Sequence, residues 1–160
     1  MPALPVKTSM VLRPAASSDF EALLHIRIEA MRESLQRIGR FDPARARQRF
    51  RDGFDPTCTR RIEVAGELTG FVVFKPSAED LLLDHLYLLP KVQGAGIGGE
   101  VLACLFEEAD ALRLPIRVGA LKESASNRFY LRHGFQFVES GEFDNYYVRP
   151  SSCPADRIDG

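Results

Sequence analysis

Between residues 20 and 38 apolar side chains recur every three or four positions, at Phe20, Leu24, Ile28, Met31, Leu35 and Ile38. That spacing lines one face of a helix. Ser18 followed by Glu21 fits a capping box at its start, and Gly39 is placed to end it. A second helix opens in "FDPARARQRF", with Asp42 as cap and Pro43 in the first turn. From residue 60 the period falls to two. "RRIEVAGELTGFVVFKP" reads as two strands turning at Ala65-Gly66, and "LLLDHLYLLP" as a third strand stopped by Pro90. "GGEVLACLFEEADALRL" returns to helical spacing, with Val101, Leu102, Leu105, Ala109 and Leu112 facing inward. Then follow the strand "PIRVGALK", a short helix "SASNRFYLRHG" ended by Gly134, and a hairpin "FQFVESGEFDNYYVR" with Gly141 in its turn. With the short strand "MVLRPA" at the front, the pattern predicts a single α/β domain. Its central sheet is mixed and mostly antiparallel, flanked by helices, with one right-handed parallel β-α-β unit over residues 81–121. The domain occupies residues 1–150, and "SSCPADRIDG", residues 151–160, reads as a flexible tail.

Composition narrows the function classes. The chain has 160 residues, 45% hydrophobic and 27% charged, with a net charge of −1. These values fit one soluble domain and give no global basic field for nucleic acid. No apolar run approaches the roughly 18 residues that span a bilayer, and "MPALPVKTSM" lacks the pattern of a signal peptide. No membrane role is expected. Cys58, Cys104 and Cys153 have no metal-ligand spacing, and a reducing cytoplasm is the simplest setting. No metal is expected either. Charge is uneven: from Arg27 to Arg61 there are ten arginines against five acids. That excess suits either a solvated helical face or a cationic rim beside an anionic ligand.

The chemistry concentrates in "KVQGAGIGGEVL", where four glycines fall within six residues between a strand and a helix. Such a loop brings backbone N–H groups close to phosphates. A nucleotide-hydrolysing P-loop is excluded, because no Lys-Ser or Lys-Thr follows the glycines. Gly94, Gly96 and Gly99 satisfy G-x-G-x-x-G literally, but Pro90 to Gln93 separate them from the strand and only one β-α-β unit is present. The third reading takes in Gln93, as Gln93-x-x-Gly96-x-Gly98. In this form the loop resembles the [Q/R]-x-x-G-x-[G/A] signature of the GNAT superfamily of acyl-CoA-dependent N-acetyltransferases. Downstream, "NRFYLRHGF" resembles that family's second signature through Asn127, Tyr130, Gly134 and Phe135. The element order fits the family from about residue 9 to 149.

The resemblance implies a set of roles. Acetyl-CoA would be the co-substrate, its pyrophosphate on the backbone of Gln93, Gly94, Ala95, Gly96, Ile97, Gly98 and Gly99. The family's fourth and fifth strands splay apart, so Leu86, Tyr87 and Leu88 would lie beside the pantetheine arm, with the Leu88 N–H polarising the thioester carbonyl. Tyr130 would protonate the departing thiolate, and Asn127 would face the ligand or cap its helix. A base or a water relay must take the amine's proton. Asp84 is the first choice, sharing a face with Leu86 and Leu88 by alternation. His85 is the rival, pointing the other way with Tyr87 unless a bulge rotates it. His25 and His133 read as structural.

The family's acceptor site is built from the first two helices and the last strands. Arg27, Arg32, Arg40 and Phe41, facing Tyr146 and Tyr147, would line it for a small-molecule or peptide amine. Homodimers are common in the family, so a dimer is allowed, though no sequence feature specifies one. A non-catalytic acyl-CoA-binding module and a dinucleotide-binding protein are the alternatives.

Overall fold

A computed structural model describes residues 10–37, 39 and 41–151. The expected tail beyond Ser151, together with Ile38 and Arg40, lies outside the described residues. Seven strands form one sheet: β1 (Met10–Pro14), β2 (Thr59–Val64), β3 (Glu67–Pro76), β4 (Leu81–Leu88), β5 (Ile116–Leu121), β6 (Gln136–Ser140) and β7 (Asp144–Arg149). Their spatial order is β1-β2-β3-β4-β5-β7-β6. Every neighbouring pair is antiparallel except β4 and β5. Four helices cover the sheet: α1 (Phe20–Arg37), α2 (Pro43–Gly53), α3 (Ile97–Leu112) and α4 (Ser126–Arg132).

Alternation along β3 sorts the helices into two layers. Phe71 and Val73 pack with Leu23, Leu24 and Ile26 of α1 and Phe50 of α2. Val72 and Phe74 pack with Val101, Leu102, Leu105 and Ala109 of α3 and Tyr130 of α4. Successive strand side chains point to opposite faces, so α1 and α2 lie on one side of the sheet and α3 and α4 on the other. The β2–β3 turn has φ of 54° at Ala65 and 81° at Gly66, the primed geometry that matches strand twist.

Three expectations change here. The helical start comes earlier than Ser18: a short 3-10 turn spans Ser17–Asp19, and the Asp19 carboxylate accepts the Ala16 N–H at 2.8 Å. Ser18 is therefore already inside the turn, and Glu21 instead binds Arg47. The buried stripe of α1 is Leu23, Leu24 and Ile26, whereas Met31 and Leu35 turn toward a cavity described below. Leu112 is 57% exposed rather than inward. Arg113 adopts a left-handed conformation with φ of 60°, and the Leu114 N–H donates to the Ala109 carbonyl at 3.0 Å. This C-terminal motif swings Leu114 onto the core and leaves Leu112 outside.

Candidate active site

The sheet is split. β4 and β5 pair only at Leu81–Ile116, Leu82–Arg117 and Leu83–Val118. Past these residues the strands share no further register, and a cavity of about 1130 Å³ opens between them and α1. The Leu89 N–H donates to the Thr69 carbonyl at 2.8 Å, which sets the phase of the β3–β4 ladder. Tyr87 therefore turns its backbone groups toward β3, while Leu86 and Leu88 turn theirs into the gap. The Leu88 carbonyl is already engaged there, accepting from Gln93 Nε2 at 2.9 Å. Its N–H is the group that remains to face a ligand. Leu86, Tyr87, Leu88 and Gln93 all line the cavity.

The glycine loop sits at the N-terminus of α3. Gly94 and Gly96 each have φ of 84°, a conformation that L side chains rarely adopt. Gly96 is the N-cap residue, and no side chain caps the helix. Helical bonding begins with the Glu100 N–H donating to the Gly96 carbonyl, so Ile97, Gly98 and Gly99 carry the first-turn N–H groups. Such N–H groups and the helix dipole suit a phosphate oxyanion. Gly98 has a different task. A Cβ there would lie 2.9 Å from Cζ of Phe129, so the missing side chain lets α4 pack against α3.

At the far end of the paired segment β4 is bulged. Val73 pairs with His85 and Phe74 with Leu83, leaving Asp84 as the extra residue. This corrects the expected alternation. Asp84 does not share its surroundings with Leu86 and Leu88, which pack toward α3. The bulge brings it beside His85, with Oδ2 3.8 Å from Nε2. Asp84 is also 3.0 Å from Nζ of Lys75, a partner with no signal in the sequence because it depends on the strand register. His85 stacks on Tyr87 with ring centroids 5.3 Å apart, and its Nδ1 lies 3.2 Å from the Tyr87 hydroxyl. Burial first, and the cations Arg27 and Lys75 next, push the imidazole down to about 4 against the opposing pull of Asp84. At neutral pH the ring is uncharged and can accept a proton.

Tyr130 lines the same cavity at 5% exposure. Burial pushes its phenol well above the ordinary tyrosine value, so it stays protonated throughout the physiological range. Its ring is held edge-on by Phe129 and Phe135. Asn127 has its bonding capacity filled. Its amide donates to the carbonyls of Leu121 and Ser124 at 2.9 and 3.0 Å, and its oxygen accepts from Tyr147 and Asn145 at 2.7 and 3.0 Å. It ties the end of β5 and the start of α4 to β7, and so sets where Tyr130 stands.

The acceptor-side residues divide. Arg27 and Tyr146 line the cavity. Arg32 and Phe41 do not: Arg32 is paired with Glu29 at 3.0 Å and lies over the Phe41 ring at 4.8 Å. His25 is exposed, and His133 Nδ1 is bound to the Phe129 carbonyl at 2.9 Å. Asp144, which sequence reasoning passed over, also lines the cavity, and burial raises its carboxyl.

Residues 59–137 match the family model described as an acetyltransferase (GNAT) domain. The chain carries a GNAT acetyltransferase domain. The GNAT match takes in β4, the glycine loop, α3, β5 and α4, the elements that frame the split. None of the curated proteins matches the chain. Among solved structures it is similar to the PaiA N-acetyltransferase from Thermoplasma acidophilum, determined in complex with coenzyme A, with a TM-score of 0.74 and 18% identity over 89% of this chain and 99% of that one. An acetyltransferase from Thermus thermophilus gives 0.70 and 24% over 89% and 97%. The ribosomal-protein-S18-alanine N-acetyltransferase from Escherichia coli gives 0.65 and 13% over 88% and 91%. At these identities the likeness speaks to the GNAT fold.

Proposed function

We propose that this GNAT domain transfers an acetyl group from acetyl-CoA to a primary amine by direct attack of the nitrogen. The observation that carries the reading is the split between β4 and β5, opening beside the uncapped N-terminus of α3 and lined by His85 and Tyr130. Acetyl-CoA would supply the activated acyl group. The first-turn N–H groups of α3 hold its pyrophosphate, and the exposed edge of β4 at Leu86 and Leu88 holds its arm. The Leu88 N–H would polarise the thioester carbonyl, a contact typically worth about 10²–10³ in rate.

Proton transfer falls to two residues. A primary amine has a pKa of about 10, so only a minor fraction arrives unprotonated at pH 7. As the new bond forms, the nitrogen becomes acidic and a weak base suffices to take its proton. His85 suits this better than Asp84, whose carboxylate is held by Lys75. In the tautomer that carries its proton on Nδ1, the Tyr87 hydroxyl accepts that N–H and Nε2 offers its lone pair to the amine. Tyr130 delivers a proton to the departing thiolate and, as a high-pKa phenol, is then readily reprotonated.

Calorimetric titration with acetyl-CoA, with NADH as control, tests the reading. Stoichiometric micromolar binding of acetyl-CoA alone is expected, followed by thiol release in an amine screen. Preference for NADH would return the glycine loop to dinucleotide binding. Acetyl-CoA binding without turnover of any amine would leave an acyl-CoA-binding module.

A further inference from the structure

We infer that the α1–α2 end of the cavity is an oxyanion site, so that the acceptor amine carries a carboxylate or a phosphate. This rests on the acetyl-transfer reading and specifies its substrate class. Arg27 is the centre of the site. Its Nη1 donates to the Ala46 carbonyl at 3.3 Å and its guanidinium lies 5.9 Å from the Phe50 ring centroid, so the group is fixed in place. The guanidinium also faces the Tyr87 hydroxyl in the same cavity, while its Nε–H is buried with no hydrogen-bond partner among the described residues. A buried, charged donor left unsatisfied is costly, and most such groups in folded proteins have a partner.

Two more arginines line the same cavity. Arg45 and Arg49 stand one turn apart on α2 and are exposed. Like charges at this spacing repel each other. Among the described residues neither they nor Arg27 makes an ion pair with a side-chain carboxylate. Other arginines are matched: Arg47 with Glu21, Arg60 with Glu108, Arg61 with Asp19 and Glu63, and Arg117, also on the cavity, with Asp80. The acids that line the cavity are Asp42, Asp84, Glu139 and Asp144. Asp42 accepts the Arg45 backbone N–H as a helix cap, and Asp84 holds Lys75. Glu139 and Asp144 come from β6 and β7, across the cavity from α1 and α2.

The coenzyme pyrophosphate is not the anion these arginines await. The glycine loop begins α3, which packs on the opposite face of the sheet from α1 and α2. The cleft thus has a cationic end at α1–α2 and an anionic end at β6–β7, with His85 and Tyr87 between them along β4. An amine that also bears an oxyanion fits both ends. A guanidinium takes either a carboxylate or a phosphate oxygen pair.

The test uses matched acceptors with the full chain and acetyl-CoA. Each of several α-amino acids is compared with the amine left by its decarboxylation, and phosphoethanolamine with ethanolamine. Thiol release gives kcat and KM, and calorimetry in the presence of coenzyme A gives acceptor affinity. The expected result is a preference of about 10-fold or more for the anionic partner of at least one pair, and which pair responds identifies carboxylate or phosphate. Arg27→Met should remove that preference through KM while leaving acetyl-CoA affinity unchanged. Arg49→Ala, at an exposed position where folding is not at risk, should weaken it about 2- to 5-fold. Preference for neutral or polycationic amines overturns the inference, as does a preference that survives both substitutions. Acetyl-CoA binding with no anionic amine bound or acetylated also overturns it. Failure to bind acetyl-CoA would instead remove the transferase reading beneath it.

Discussion

His85 is held uncharged by its surroundings, and this has a consequence for stability that does not depend on any substrate. In an unfolded chain the imidazole titrates near 6.5; in the fold, burial together with Arg27 and Lys75 brings it to about 4. The folded state therefore resists protonation that the unfolded state accepts. The stability this confers is fully present above pH 6.5 and is lost as the pH falls toward 4. At about 1.4 kcal/mol per pH unit the whole interval amounts to about 3 kcal/mol. The side chain keeps 25% exposure, so solvent screening reduces the expected loss to about 2 kcal/mol. His85→Gln keeps a polar side chain of similar reach and removes the titration. Urea unfolding of both proteins across pH 4 to 8 reads the effect as a difference, since His85 is the one titratable group that the variant lacks. The wild type should lose about 2 kcal/mol more than the variant between pH 7 and pH 4, a difference of several degrees in Tm for a chain of this size. Parallel stability curves would refute the claim that this imidazole is buried in its neutral form, and with it the case for His85 over Asp84 as base.

Tyr130→Phe should lower kcat about 10²-fold with acetyl-CoA affinity unchanged by calorimetry, and the wild type should show no alkaline fall in kcat from this phenol below pH 10, because burial raises it. Gly98→Val should cost about 1–3 kcal/mol in urea unfolding, because even the first added carbon meets Phe129 at 2.9 Å. Asn127→Ala should cost about 1–3 kcal/mol by the same measurement, stranding the buried Tyr147 hydroxyl.

The order of elements was readable because periodicity and punctuation agree along most of the chain. Asp42-Pro43, Ala65-Gly66 and Pro90 each fall where an element begins or ends. The errors arise where a local rule meets a tertiary decision. Ser18 and Glu21 match a capping box, yet the chain enters the helix through Ala16 and Asp19 because a 3-10 turn comes first. Leu112 keeps the helical period but is the last residue of α3, and the left-handed turn at Arg113 sends Leu114 onto the core in its place. Alternation along β4 placed Asp84 and His85 on opposite faces; whether a strand bulges is fixed by the partner strand, and β3 supplies one residue fewer than β4 across that stretch. Charge partners were equally hidden. The Lys75–Asp84 pair and the freedom of Arg45 and Arg49 depend on which strands and helices become neighbours, while the arginine excess itself was visible from composition.

The bulge at Asp84 and the split beside it belong to one design. A regular β4 would carry its alternation from Leu83 straight through and put His85 into the α3 core, where Leu86 now packs. The extra residue reverses the phase, so that apolar Leu86 and Leu88 continue the α3 face and His85 and Tyr87 emerge toward α1. The parallel ladder to β5 stops at Leu83, just where the bulge begins. The same short segment therefore ends the sheet's pairing, frees the Leu86 and Leu88 backbone for a ligand and turns a proton acceptor toward the arginines. A deletion of Asp84 tests this linkage more sharply than any substitution there. With Asp84 removed, Leu83 and His85 become consecutive while still facing Phe74 and Val73, so the chain should still fold, His85 should keep its face toward α1 and its acid-dependent loss of stability, and the ladder to β5 should be free to run on past Leu83, closing the gap and lowering acetyl transfer.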